Sequence, residues 1–570
     1  MAGLLGAAPV SRETQLANDR HSPALVVLVL AFLCVYIYLF TQAADEIGAP
    51  LPKAVADAVG WHPEKVFDDD NVSSELYVPM TWLYDNDDER FVLFVGVAIA
   101  FLLVYFLPLD LKRPSLVISF CVIVSILYGL RGIAGLAASH AIVYLVLHPA
   151  RGLRVWLAGW PGFLGYLALG TYEALSVWAI LIAVTCGVAS AVLYRYLLIR
   201  ALDAPRLAPC LRVVATQSAM IVALGGAVWE GLSGQTFELA LGVLLFFWHW
   251  ERLLLYYVDY KDGQIPADIS FWSYLSVFMA PGQIGNWNWG VTIGQGYAYC
   301  QNNFYCEDKN RLIVDGLRLW ALSITYLVLA QWGVYLLLAV LQDLGFVVFS
   351  RNRQMTCHFI FDGQVTTSTV LLTSLMDLLR WTAIWGGVVH FKVGLWRICG
   401  YRIDPYFNYP WLSTNMVALW SRFTFHYREF LVKVFYYPVF FRCFRTRPYL
   451  RIACATFAAA GVGNMVWGHL SEAVFYKGVA WGNIAGALRQ WPYFVLLSLG
   501  ITVAQFWLMR KKRDSRKPWT FDRRIVLDAF AAYVTLQFYA LIHVFYHYCQ
   551  EGTTAQHFKL FLIGFGIGGN

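Results

Sequence analysis

The sequence predicts an all-α, polytopic transmembrane protein, and three observations predict it. Of 570 residues, 59% are hydrophobic and 17% aromatic, but only 14% are charged, where soluble domains carry about a quarter. The mean hydropathy is +0.54. Apolar runs recur along the chain, and the longer ones approach the roughly 20 residues a helix needs to cross a bilayer core. The net charge of +7 implies no nucleic-acid partner, because the basic residues sit beside apolar runs. That is how cytoplasmic anchors are placed.

The first run, 24–40, follows polar residues and precedes no small-residue cleavage pattern, so it reads as a membrane helix and not a cleaved signal. The polar segment 44–90 carries "FDDDN" and "YDNDDER" and few basic residues. It is expected on the external face, with the N-terminus cytoplasmic. The next helix, 91–107, ends at "LDLKRP", a basic stop. Further runs lie near 115–130, 172–198, 209–229, 236–258, 318–345, 367–392, 452–476, 490–509 and 525–548, with shorter, interfacial or half-spanning ones at 136–148 and 155–169. Gly and Pro interrupt several, as in "GWPGFLGYLALG" and "APGQIGNWNWG". Broken helices at membrane depth are tolerated only where they pack in protein or line a wet cavity. The densest basic stretches, 441–451 and 510–524, are both expected in the cytoplasm, joined by one hairpin of two passes.

The 11 cysteines are scattered without a CxxC, and most lie in apolar runs, where a free thiol packs as a small hydrophobe. Cys300 and Cys306 form the close pair in a polar loop. They are the candidate disulfide, given an oxidising face.

Ionisable residues within apolar runs are costly and are functional candidates by default. His469 and Glu472 share a helix face in "NMVWGHLSEAVFY". His426 lies in "WSRFTFHYREF" beside Arg422, Arg428 and Glu429. His249, Glu251 and Arg252 lie in "WHWERLLLYYVDYKDG", His390 in "GVVHFK", and His543 and His547 four apart in "IHVFYHY". Each also has a plain alternative. A lone histidine in an aromatic helix reads as packing, and the His543–His547 pair has metal-ligand spacing without a third ligand nearby in sequence. No Gly-rich phosphate loop, GxSxG or HExxH is present, so any chemistry must come from buried polar groups in the membrane.

Two longer strings narrow the choice. They are "YYVDYKDGQIPADISFWSYLSVFMAPGQIG" (256–285) and "FNYPWLSTNMVALWSRFTFHYREFLVKVFYYP" (407–438). With "VWGHL" they resemble the membrane-bound O-acyltransferase family, above all its bacterial branch, the membrane subunit of alginate-type O-acetyltransferases. Tyr257, Asp259, Gly263 and Pro266 follow the family's first motif. Phe407, Asn408, Pro410, Leu412, Ser413 and Thr414 follow the second, Trp420 and Arg422 open the third, and Trp467 matches the last. The resemblance covers roughly 230–550. It departs in two places: Thr424 stands where the family has a histidine, with His426 two residues on, and the family's Trp-His-Gly is Trp-Gly-His here.

The resemblance implies a ring of about 10–12 spanning helices, with short and broken ones, around a central tunnel. It divides the chain into an N-terminal transmembrane region (1–230), a catalytic core (231–550) and a tail (551–570). It implies an O-acyltransferase that moves an acyl group, acetyl by analogy, from a cytoplasmic acyl-CoA or other thioester to a hydroxyl, with a cell-surface polysaccharide as the expected acceptor. No tightly bound cofactor and no metal are expected. Expected partners are donor, acceptor glycan, the lipid bilayer and a separate SGNH-type protein, in a bacterial inner membrane. His469 is the expected base, because an imidazole in an apolar site stays neutral. His426 is expected to polarise the thioester or orient the acceptor. Trp467, Asn464, Trp420, Arg422, Thr424, Glu472 and Asn408 are expected to shape or bind the site. The motifs are expected to converge on one cavity, with His426 and His469 within roughly 12 Å of each other. Transfer to a lipid or protein hydroxyl, a transporter built on broken helices, and a family member without turnover remain the alternatives.

Overall fold

A computed structural model describes residues 11–42, 87–122 except 120, parts of 255–274, then 295–470, 481–511, 525–546, 549 and 551–568. The expectations for most of 44–90, for the runs between 123 and 254, for Glu472, for His249, Glu251 and Arg252, for Tyr257, for His547 and for 512–524 lie outside the described residues.

Among the described residues the chain is α-helical, with one isolated β-bridge between Phe304 and Tyr401. The helices used below are α1 (Pro23–Gln42), α2 (Asp87–Phe106), α3 (Lys309–Val328), α4 (Val334–Asp343), α5 (Asn352–Asp362), α6 (Thr367–Ile398), α7 (Met416–Phe423), α8 (Phe425–Leu431), α9 (Pro448–Thr456), α10 (Trp491–Lys511), α11 (Ile525–Ile542) and α12 (Thr554–Ile563). Three stretches are long and apolar enough to cross a membrane by length and composition: Pro448–His469, Ala485–Lys511 and Ile525–Phe545.

Local chemistry sets the helix ends. Asp308 accepts from the Asn310 and Arg311 amides at the start of α3, at 2.9 and 3.2 Å. Thr366 caps α6 through the Thr369 amide and Asn415 caps α7 through the Ala418 amide. Each satisfies an amide that has no partner within its helix. Thr553 and Gln556 close a reciprocal capping box on α12. The apolar run at 318–345 is not one uninterrupted helix, because a π-helical turn at Leu329–Gly333 separates α3 from α4. The 452–476 run likewise begins at Pro448 and turns π-helical at Phe457–Gly463 and Met465–Leu470.

The axis of the core is the antiparallel pair α3 and α6. Glycines let the backbones touch: a Cβ on Gly394 would stand 2.9 Å from the Gly316 carbonyl, and one on Gly387 would run into Leu327. Small residues at such crossings trade side-chain volume for close approach. Cross-bonds then fix the register. Trp320 Nε1 donates to the Phe391 carbonyl at 3.0 Å, and Ser323 Oγ to Gly387 at 2.6 Å. Helix α1 joins through the Tyr36 hydroxyl, which donates to the Trp320 carbonyl.

At the end of α2, two fully buried lysines share one carboxylate. Lys309 Nζ lies 2.6 Å and Lys112 Nζ 3.3 Å from Asp19. Both also donate to the last α2 carbonyls, at Tyr105 and Val104, where a helix carries partial negative charge. Burial pulls both ammonium groups down, Lys112 to about 8, against the opposing pull of Asp19.

The cysteine expectation needs correcting. Cys300 and Cys306 are not joined in a disulfide. Cys300 sits on the turn Tyr297–Asn302 and points into the core, while Cys306 Sγ turns to the Asn303 carbonyl. Among the described residues the disulfide joins Cys357 on α5 to Cys549 after α11, 192 residues apart, with Cα atoms 5.1 Å from each other.

Candidate functional site

Helix α6 has 32 residues, about 48 Å at 1.5 Å each. His390 lies about two turns before its end and is buried. Its ring stacks on Tyr326 of α3, 5.5 Å between centroids, and meets the edge of Phe407 at 5.8 Å. Its Nδ1 is buried without a partner among the described residues. An unpaired buried polar atom is expensive.

Beside His390 is a cavity of about 220 Å³. Its walls come from α3 (Asp315, Arg318, Leu319, Leu322, Tyr326), α6 (His390, Arg397) and the segment Pro405, Phe407, Asn408 and Tyr409. Aromatic and aliphatic groups form its depth. Arg318 and Tyr409 are exposed at its rim, so it opens outward. Arg397 is committed to the fold: its fork donates twice to the Ile403 carbonyl, at 3.0 and 2.8 Å.

The 404–409 wall is irregular chain that ends in a left-handed residue, Tyr409 (φ 46°), and the α7–α8 junction holds it in place. Asn408 N donates to the Arg422 carbonyl at 2.8 Å, and Phe425 N to Tyr406 at 3.0 Å. Arg422 returns a guanidinium contact to the Tyr409 carbonyl. Thr424 lies at the break between the two helices, with φ −140° and ψ 56°. His426, fully buried, stands behind the same wall. Its Nε2 donates to the Asp404 carbonyl at 2.8 Å and its ring packs on Tyr406. Trp420 packs between the two main apolar clusters.

The described parts of the quoted motifs are linked, the first to the second through the 295–298 segment. Asp259 of the first accepts from the Ala298 amide at 3.0 Å, and Lys433 of the second donates to neighbouring Gln295 at 2.6 Å. The Tyr427 hydroxyl of the second donates to Asn464 at 3.1 Å, and Phe430 packs on Trp467 at 5.1 Å. The π-helical backbone then sends the last two candidates apart. Trp467 faces α8, while His469, two residues on, faces Phe494 of α10 at 5.9 Å and Tyr546 at 5.2 Å.

His469 thus borders a second cluster, built from rings. Tyr493 contacts Phe494, His543 and Tyr546 at 5.0–5.1 Å. His543 packs on Tyr539 at 4.6 Å and donates from Nδ1 to the Tyr539 carbonyl at 2.7 Å. Nearby on α6, Asp377 and Arg380 form a buried ion pair at 3.0 Å.

Of the sequence candidates, Asn408 lines the cavity, and Arg422 and His426 hold its wall. Asn464 and Trp467 join α8 to the 465–470 helix. The lining includes neither His426 nor His469. What the motifs missed is the pairing of His390 with Tyr326, Arg318 and Asp315. Its one signal was an ionisable residue within an apolar run, since α3 carries none of the quoted motifs. No protein-family model and no curated protein matches the chain.

Proposed function

We propose that the chain is a multi-pass membrane O-acyltransferase. The observation that carries this reading is the His390 cavity: a basic and acidic rim, aromatic walls, and an imidazole whose Nδ1 has no described partner. The wall residues Phe407 and Asn408 belong to the stretch that most closely resembles the family. In this reading a thioester lies in the cavity with an acceptor hydroxyl beside it. His390 takes the hydroxyl proton as the oxygen attacks the thioester carbonyl. The C–O bond forms, the C–S bond breaks, and the departing thiolate recovers the proton from the imidazolium. Arg318 at the rim suits the phosphates of an acyl-CoA donor. A cell-surface glycan remains the proposed acceptor.

A second reading keeps the base at His469, favoured by its position one residue from the family's histidine and by its partial exposure beside the Tyr546 ring. One experiment decides. Transfer from radiolabelled acetyl-CoA is measured in membranes and normalised to folded protein, for His390→Gln and His469→Gln. Loss of a general base costs about 10²–10⁴-fold. That loss in His390→Gln alone supports the cavity, and in His469→Gln alone it moves the base. Turnover unchanged in both rejects His390 and His469 as the base.

A further inference from the structure

We propose that Cys357–Cys549 is a disulfide on the oxidising, exoplasmic face of the membrane, and that it fixes the orientation of the whole chain with the cavity end in the cytoplasm. The inference is independent of the acyl-transfer reading.

The bond joins two particular helix ends. Cys357 lies on α5, which folds back along the start of α6: Ser374 Oγ donates to Asn352 Oδ1 at 3.1 Å, and Phe349 N to Thr373 at 3.1 Å. Cys549 follows the C-terminal end of α11. The start of α6 and the end of α11 therefore share one face. If each crosses the bilayer, the other ends, Ile398 and Ile525, share the opposite face. The start of α10 belongs with the disulfide, because Tyr493 packs on His543, so Lys511 belongs opposite. Helix α9 begins at Lys511's end, since Tyr449 packs on Phe506 and Thr456 Oγ1 donates to Gln505. That places Cys443 and Arg445 opposite the disulfide as well.

Two unrelated kinds of chemistry now give the same orientation. Disulfides persist in oxidising compartments and are rare in the cytosol. Lys and Arg are enriched in cytoplasmic loops. The disulfide marks one face, and the basic stretches at 441–451 and 510–511 mark the other. The His390 cavity goes with the basic face, because Arg397 and Asp315 lie where the end of α6 meets the start of α3. Forming the bond removes two electrons and two protons from two thiols. They pass to a protein or small-molecule disulfide of that compartment, which leaves as two thiols.

The first arm of the test is mass mapping of the full chain, alkylated at once on membrane isolation and digested without reductant. A peptide pair joined through Cys357 and Cys549 is expected, lost after dithiothreitol. Recovery of both cysteines as separate alkylated peptides overturns the bond. So does their alkylation only after chelation, which would mean a metal held by Cys357, Cys549 and Glu551, whose ligand atoms lie within 4.8 Å. The second arm uses sealed vesicles of each orientation, a charged, impermeant reductant and an impermeant maleimide. Cys357 and Cys549 are expected to label from the face opposite to Cys443. Labelling of all three from one face overturns the orientation. Cys549→Ser should leave Cys357 alkylated without reductant. If that variant does not accumulate, the wild-type mapping still decides.

Discussion

His390 and His469 both sit on helices of apolar sequence, yet one borders a hollow and the other, partly exposed, packs on two rings. Around His390, the glycine-mediated approach of α3 and α6 meets the irregular wall at 404–409, and these surfaces leave about 220 Å³ unfilled. Around His469, among the described residues, the rings of Phe494, Tyr493, His543 and Tyr546 pack on one another. A histidine in an apolar helix is therefore not a site by itself. A substrate needs room, and the room comes from backbone geometry several residues away. The comparison also separates what each region should lose on mutation: the hollow should lose activity, the ring cluster stability. The His390→Gln and His469→Gln assays carry the largest expected effect on it, up to about 10⁴-fold.

Next in size is Tyr493→Ala. The ring is 5% exposed and touches four aromatic neighbours. Lipid tails are as apolar as the ring, so the cluster is held by packing and not by escape from water. Removing the ring leaves a void costing about 3 kcal/mol. Thermal unfolding of purified protein in detergent should shift down clearly, with turnover per folded molecule kept. Loss of turnover at unchanged stability would instead make the ring cluster the chemical site and invert the comparison.

Gly394→Ala tests the hollow through its frame. The new methyl would meet Trp320 Cδ1 at 2.4 Å and the Gly316 carbonyl at 2.9 Å. One of these is backbone, so α3 must move off α6, at about 1–3 kcal/mol. Because both helices wall the cavity, donor KM should rise alongside the fall in stability. A stable variant with unchanged KM would mean that the crossing does not shape the cavity.

Much of this was legible in the sequence, and the exceptions have physical causes. Hydropathy finds the helices at 490–509 and 525–548 to within a few residues, because length and apolarity report directly on burial. It does not find where Leu329–Gly333 or Phe457–Gly463 turn π-helical, since a local change of winding leaves composition untouched. Asn408 and Arg422, both named by their motif, lie at the cavity wall. His390 is legible only as an ionisable residue in an apolar run, because Tyr326 and Arg318, which line the cavity with it, come from a helix more than sixty residues away. The Cys357–Cys549 bond was unreadable for the same reason, with 192 residues between its ends. His469 shows the finer limit. On an ideal helix, one residue of displacement rotates a side chain by about 100°, and in the π-helical turn it leaves His469 on the α10 face while Trp467 keeps the α8 face.

The smallest expected effect is the most selective. Asn408 is exposed on the cavity wall, and its place is fixed by its backbone, whose amide donates to the Arg422 carbonyl at 2.8 Å. Asn408→Ala keeps that amide and removes only the side-chain amide facing the cavity. Exposed substitutions of this kind change stability by less than about 0.5 kcal/mol. A lost neutral hydrogen bond to bound donor is worth about 1 kcal/mol, or up to roughly tenfold in kcat/KM. The unfolding midpoint should therefore stay put while kcat/KM for acetyl-CoA falls. Asn408→Asp keeps the shape and adds a negative charge to the wall, so, if the proposed donor binds there through its phosphates, its loss should exceed that of alanine and shrink with added salt. If both variants transfer acetyl as the wild type does, the donor does not touch this wall. The cavity would then have to be read as packing left over between α3 and α6, and the two histidine environments would differ in shape without differing in function.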